Sequence, residues 1–239
     1  MVSERPASRF LIHGRLARFL APRRRGGAFV HAFDGTPALR DPLEALGVPH
    51  TEVGRILVDG LPARLSRRLC GGEHVEVFPI ELQSLGVPPR FVLDVHLGRL
   101  AGYLRLLGFD TAYRNDAHDE DLFDEALQRG RMLLTRDVGL LKRGRLRHGA
   151  FVYSTEPVAQ LVETLERFGL HDGLAPFTRC VHCNGRVDPI DPDLAPDIPP
   201  RVRLRGGPFS RCRGCGQLYW RGTHEARLRE RLLRAGLCI

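Results

Sequence analysis

Two kinds of residue in this chain have types and spacings suited to chemistry: paired cysteines and clustered acids. Cys180/Cys183 and Cys212/Cys215 each form a Cys-x-x-Cys pair, and 28 residues separate the pairs. Each pair can make a tight knuckle, and two knuckles supply the tetrahedral thiolate cage of a structural Zn²⁺ site. Four thiolates leave no vacancy for His182 or His224. Neither pair opens a helix after a strand, so redox chemistry is not expected. Cys70 and Cys238 stand alone and are expected only to pack. The acids lie further upstream. Asp94 comes near the end of the apolar run FVLDV, and Asp137 follows the run MLLT. Between them the stretch NDAHDEDLFDE carries Asp116, Asp119, Glu120 and Asp121. Carboxylates that converge repel one another unless a cation sits between them, and hard ions such as Mg²⁺ or Mn²⁺ prefer oxygen ligands. The alternative is that these acids cap helices, since aspartate in a first turn accepts backbone N–H bonds and complements the helix dipole.

The elements that must position these residues can be read from periodicity. From residue 91 to about 170 the chain alternates short apolar runs with helical patterns. FVLDV, TAYR, MLLT and AFVYS read as strands, and LGRLAGYLRLLG, DEDLFDEALQRG, VGLLKR and PVAQLVETLERFG read as helices. Gly108 and Gly130 close the first two helices. This alternation predicts a parallel sheet with helices on both faces, and the apolar runs lack a period of two, as expected of strands covered on both sides. In such sheets ligand groups gather at the carboxyl ends of the strands, where Asp94, the acidic turn and Asp137 all fall. No GxGxxG follows FVLDV and no GxxxxGK[ST] occurs, which argues against dinucleotide or ATP binding.

Residues 1–80 read as short strands around one helix: RFLIHGR, AFVHAF, the helical PALRDPLEALGV, GRILVDG and EHVEVFP, with Gly60 and Gly71-Gly72 at turns. Periodicity alone supports a small α+β domain, and the order of elements suggests a β-grasp. Residues 81–90, with Pro88-Pro89, read as a linker, residues 91–175 as the α/β domain, and residues 176–239 as a cysteine-bearing ribbon. From Cys180 onward the pattern collapses into turns. PIDPDLAPDIPP is too proline-rich for a helix or central strand, and LRERLLRAGL reads as a short terminal helix.

The 239 residues carry a formal net charge of +8, with 43% hydrophobic residues. The pI is near 9.7 and the mean hydropathy is −0.19. Such basicity suits a polyanionic partner, nucleic acid foremost. Because 35 of the 36 basic residues are arginine, codon bias is the competing explanation. Distribution is more telling: ten arginines lie between Arg201 and Arg234 against Glu225 and Glu230, whereas Asp116–Glu125 holds six acids. Tyr219 and Trp220 beside the arginines make a plausible surface for stacking bases, or else Trp220 packs on the ribbon. No apolar run approaches the roughly 18–20 residues that span a bilayer. Glu4, Arg5, Arg9 and Arg15 interrupt any signal-peptide core, so no membrane association and a cytoplasmic location are expected.

In order, FVLDVHLGRLAGYLRLLGFDTAYRND, DEDLFDEA, GRMLLTRDVGLLKR and CVHCN…C..CG..YWRGTH resemble the Mut-seven C-terminal RNase family, whose members are regarded as PIN-like nucleases with an appended zinc ribbon. The resemblance spans about residues 90–228. The preceding GVPHTEVGRILVDG…GGEHVEVFP is similar to the ubiquitin-like domain often fused ahead of it. The implied fold is a ubiquitin-like β-grasp, a PIN-like parallel-sheet α/β domain and a zinc ribbon. The implied activity is metal-dependent cleavage of RNA, with Asp94, an acid of the Asp119 region and Asp137 as the Mg²⁺ or Mn²⁺ set. Several adjacent acids compete for the middle position, of which Asp119 is preferred. Arg105 and Arg136 match family positions and are expected near phosphate or the acids. The β-grasp has no free Gly-Gly tail, because the chain continues past Pro79. It is therefore expected to dock a protein partner or position RNA rather than to be conjugated. A non-catalytic RNA- or ribosome-binding adaptor is the alternative.

Overall fold

A computed structural model describes residues 5–81, 89–204, 206–220, 229–230, 232–234 and 236–237. In chain order the strands and α-helices are β1 (Ala7–Ile12), β2 (Phe29–Ala32), α1 (Arg40–Ala45), β3 (Val53–Val58), β4 (Leu61–Ala63), β5 (His74–Pro79), β6 (Phe91–Leu93), α2 (Gly98–Leu106), β7 (Thr111–Ala112), α3 (Asp119–Arg129), β8 (Met132–Thr135), α4 (Val138–Leu141), β9 (Gly149–Phe151), α5 (Pro157–Phe168), β10 (Val187–Ile190), α6 (Pro200–Arg203), β11 (Phe209–Cys212) and β12 (Leu218–Trp220). By internal contacts the chain divides into two compact units. One is Met1–Gln83 with Thr135–Phe151, and the other is Ser84–Leu134 with Val152–Ile239.

In the first unit, strands in the order β2-β1-β5-β3-β4 form a mixed sheet. β1 runs parallel to β5 and the other pairings are antiparallel. Alternation along β1 turns Ser8, Phe10 and Ile12 inward, and Val75 and Val77 of β5 join them. Leu39 and Leu43, at the start of α1, complete this core with Leu16 and Leu69. This is the β-grasp arrangement expected from the order of elements. Strand β4 was not anticipated: it is three residues long and contains Pro62, which is tolerated because β4 is an edge strand. The Asp59-Gly60 turn that joins it to β3 has positive φ at both residues (52° and 78°), the hairpin geometry this dipeptide favours. Cys70, expected to pack, is exposed.

The second unit contains parallel strands in the order β7-β6-β8, with Phe91 opposite both Thr111 and Met132. All of β6 and β8 is buried, which explains their unbroken apolar runs. Helices α2 and α5 pack against each other, burying Leu100, Leu104, Leu161 and Leu165. Phe91 meets Phe109 and Phe168 edge-on, at centroid distances of 6.1 and 5.6 Å. Glycines in the left-handed region stop α3 (Gly130, φ 60°) and α5 (Gly169, φ 61°). At its other end α5 is capped by the Glu156 carboxylate, which accepts the N–H groups of Val158 and Ala159 at 2.7 and 2.9 Å.

Beyond Cys180 the expectation of turns alone was incomplete. Three short antiparallel strands form a sheet in the order β10-β11-β12. Pro189 lies in β10, an edge strand, where a missing N–H costs no ladder bond. Ala195, Ile198 and Phe209 make a small core beneath it. The expected linker falls mostly on residues 82–88, outside the described residues. The terminal helix is seen at residues 229–230 and 232–234.

Candidate functional site

Each acid singled out by the sequence has a definite local setting. Asp94 directly follows β6 and is 6% exposed. Its N–H donates to Leu134 O of β8 at 3.1 Å, and its Oδ1 accepts the His96 N–H at 3.4 Å. Aspartate is rarely this buried unless it is paired. Asp119 is the first residue of α3 and is exposed. Two of its competitors have structural partners. Asp116 is ion-paired with Arg114 at 3.1 Å, which holds its carboxyl below the usual range, and Asp121 Oδ2 accepts the His118 N–H at 3.2 Å at the helix start.

Asp137 is exposed and caps α4. Its Oδ1 accepts the N–H groups of Gly139 at 2.6 Å and Leu140 at 3.4 Å, and its own N–H donates to Thr135 Oγ1 at 2.9 Å. It is thus a helix cap that follows the carboxyl end of a parallel strand. Arg136 places its guanidinium 6.0 Å from the centre of the Phe151 ring. Asp94 and Asp119 belong to the second compact unit and Asp137 to the first.

The four paired cysteines gather with ligand atoms all within 4.8 Å of one another, the only such group among the described residues. Cys180 Sγ lies 3.6 Å from Cys215 Sγ, and Cys183 Sγ lies 3.3 Å from Cys212 Sγ. Backbone N–H groups aim at the sulfurs: Cys183 to Cys180 at 3.5 Å, Gly185 to Cys183 at 3.4 Å, Gly214 to Cys212 at 3.3 Å. Gly185 is needed for closeness, since a Cβ there would lie 3.0 Å from Cys212 Sγ and 3.2 Å from Cys183 Sγ. Tyr219 Oη accepts the Val181 N–H at 3.2 Å and lies 3.1 Å from Cys180 Sγ, where it can donate to a thiolate.

Burial alone would raise the Cys180 thiol. Hydrogen bonds from Tyr219 and from the Cys183 and His182 backbone outweigh it and bring the pKa to about 6. Cys183, although exposed as a residue, is pushed up to about 12 by desolvation of its sulfur and then by the sulfurs of Cys212, Cys215 and Cys180. Such crowding opposes four thiolates unless a cation sits among them, so the donor set fits a tetrahedral zinc ion. His182 is exposed and contributes its carbonyl rather than its ring. His224 and Cys238 lie outside the described residues.

Arg105 does not face solvent. It is 4% exposed, and its Nε donates to Thr111 O at 2.9 Å while Nη1 donates to Val181 O and His182 O, both at 2.9 Å. One guanidinium therefore ties α2 and β7 to the first cysteine knuckle. Asp110, which sequence reasoning passed over, strengthens the same joint. It accepts Arg131 Nη1 at 2.7 Å and Asn184 Nδ2 at 2.9 Å, and it pairs with Arg179 at 3.4 Å. Burial would raise its carboxyl, but these hydrogen bonds and charges hold it below the ordinary range. Nothing in the local pattern around Asp110 signals this, because its partners lie 21 and 74 residues away. Trp220, at the end of β12, is 42% exposed.

A family model described as the Mut7-C RNAse domain matches residues 89–232, more than half of the chain, including every acid above and the four cysteines. The chain belongs to the Mut7-C RNAse family. A second model, Mut7-C ubiquitin, matches residues 6–88, the β-grasp. No curated protein and no solved structure matches the chain. Membership in the Mut7-C RNAse family points to a nuclease-like function for the α/β domain, and among the described residues no helix is long and apolar enough to cross a membrane. The Mut7-C RNAse domain is also divided by the compact units: its residues 135–151 fall with the Mut7-C ubiquitin domain.

Proposed function

We propose that this Mut7-C RNAse protein is a metal-dependent ribonuclease, with Asp94, Asp119 and Asp137 as the acidic set for Mg²⁺ or Mn²⁺. The observation that carries the reading is the placement of Asp94, a buried carboxylate at the end of β6, with Asp137 following β8, the parallel neighbour of β6. The three side chains offer only oxygen donors, which suits such an ion. A bound ion of this kind activates water and offsets charge that builds up on a phosphodiester. Among the adjacent acids at the start of α3, Asp119, its first residue, is taken as the middle acid.

The remaining side chains bind and orient. Arg136 meets phosphate beside Asp137, and exposed Trp220 with the ribbon arginines stacks and grips the RNA strand. Arg105, whose donors go to backbone carbonyls, is a positioning residue rather than a phosphate ligand. Zinc in the four-cysteine cluster is structural. The chain is read as a ubiquitin-like domain (1–80), a linker (81–90), a nuclease domain (91–175) and a ribbon with a basic tail (176–239), acting in the cytoplasm. A protein partner would meet the ubiquitin-like domain at its edge strands β2 and β4, where Val30 and Leu61 are exposed. Incubating the purified protein with defined RNAs, with and without Mn²⁺, tests this function. Cleavage that needs Mn²⁺ and stops with EDTA is expected. RNA that is bound in a salt-sensitive way yet stays intact would make the protein a binding adaptor instead.

A further inference from the structure

Residues 135–151 belong to the Mut7-C RNAse domain by family match, but they share a compact unit with the ubiquitin-like module. The bonds that join them converge on main-chain groups. Arg40 of α1 donates from Nη1 to Gly144 O at 3.1 Å and from Nη2 to Lys142 O at 3.4 Å. Lys142 Nζ donates to Glu44 O at 2.9 Å. Glu44 Oε1 accepts Arg40 Nε at 2.8 Å and lies 2.8 Å from His50 Nδ1. His50 Nε2 is 2.8 Å from Leu146 O. A carbonyl only accepts, so this nitrogen carries its hydrogen. Glu52, fully buried, accepts the Phe151 N–H at 2.6 Å. Phe19 meets Phe151 edge-on at 5.2 Å. A Cβ on Gly149 would lie 2.8 Å from Leu141 Cδ2 and 2.9 Å from Leu146 Cδ2, so a side chain there would displace these leucines.

These bonds matter because of what they hold. Helix α4 has four residues, too few to persist by its own hydrogen bonds. Asp137 caps its first turn, and its last turn ends at Lys142, where both the carbonyl and the ammonium are bonded to the module. Removing the module would take these bonds away from the end of α4. A module that served only to recruit a partner would not need its side chains bonded to the backbone at 142, 144, 146 and 151.

We propose that Arg40, Glu44, His50 and Glu52 are positioning residues of the nuclease, holding the segment that presents Arg136 and Asp137. The ubiquitin-like module is then part of the nuclease rather than an appendage. The proposal rests on the reading of Asp137 as a metal ligand, and its test separates the two. In the full-length chain, H50A and H50Q are compared with the wild type by hydrogen exchange at the Gly139 and Leu140 amides, which donate to Asp137, and by kcat and KM for Mn²⁺-dependent RNA cleavage. H50A should speed exchange at both amides about tenfold, the loss of roughly one hydrogen bond, while β1 and β5 stay protected. It should also lower kcat with little change in KM. Gln, whose amide can still donate near the position of Nε2, should restore both. If H50A does not fold, K142M removes the ammonium bond and is read in the same way. Unchanged exchange at Gly139 and Leu140 overturns the claim that the module holds α4, and faster exchange with unchanged kcat overturns its positioning role. If D137N cleaves as well as the wild type, Asp137 is no ligand, and the exchange result still decides whether the module holds α4.

Discussion

The β-grasp and the cysteine ribbon reach order by opposite means. The β-grasp encloses a continuous apolar core running from Phe10 and Leu16 through Leu39, Leu43 and Val58 to Val75 and Val77. Among the described residues, the core cluster under the ribbon sheet is only Ala195, Ile198 and Phe209 with partly buried neighbours, and beside it lie four thiols within 4.8 Å of one another. Transfer of apolar area stabilises the first, and so small an apolar cluster cannot do the same for the second. The difference teaches where each region is vulnerable: one to cavities, the other to loss of the metal that its four cysteines can hold.

The comparison breaks most sharply on zinc. Structural zinc contributes roughly 10–16 kcal/mol of apparent binding free energy in small modules. Stripping it with a thiol-competitive chelator, or substituting Cys212→Ser, should therefore remove hydrogen-exchange protection from β10, β11 and β12 and leave β1 and β5 protected. A ribbon that stays protected without metal would abolish the distinction. Next in size, Phe10→Ala should cost the β-grasp roughly 3–5 kcal/mol in chemical denaturation and leave the zinc content unchanged.

Smaller effects sharpen the comparison at the joint between the ribbon and the parallel sheet. Arg105→Met strips donors from the carbonyls of Thr111, Val181 and His182 and should cost about 1–3 kcal/mol, seen as faster exchange in β7 and the first knuckle. The smallest effect is that of Asp110. Its carboxyl is held below the ordinary aspartate range in the folded protein, so its contribution is complete above about pH 4 and is lost as pH falls through the folded value. D110N should flatten the acid limb of the stability curve measured from pH 5 downward. An unchanged limb would mean that Asp110 is not a stabilising hub.

What was legible in the sequence follows from what is local. MLLT is β8 because a run buried on both faces announces itself, and α3 and α5 end at Gly130 and Gly169 because left-handed caps select glycine. The two Cys-x-x-Cys pairs were readable for the same reason, since each knuckle is made within a few residues. β4 and the three ribbon strands escaped notice because runs of three or four residues carry no usable period, and Pro62 and Pro189 disguised two of them further. Arg105 was expected near phosphate or the acids, yet its partners are carbonyls up to 77 residues away, which no spacing rule encodes. The bonds from Arg40, Glu44 and His50 to residues 142–146 were hidden likewise, spanning 96 to 104 residues. Asp137 was the intermediate case: its cap is local and was foreseen, whereas its relation to the other acids depends on the tertiary fold.

The central claim is that Asp94 and Asp137 serve one chemistry. D94N and D137N, each purified with zinc content and far-ultraviolet dichroism matching the wild type, are to be assayed on a defined RNA with Mn²⁺. The account predicts that each single substitution abolishes cleavage that EDTA also suppresses in the wild type. Full cleavage by both variants would contradict it.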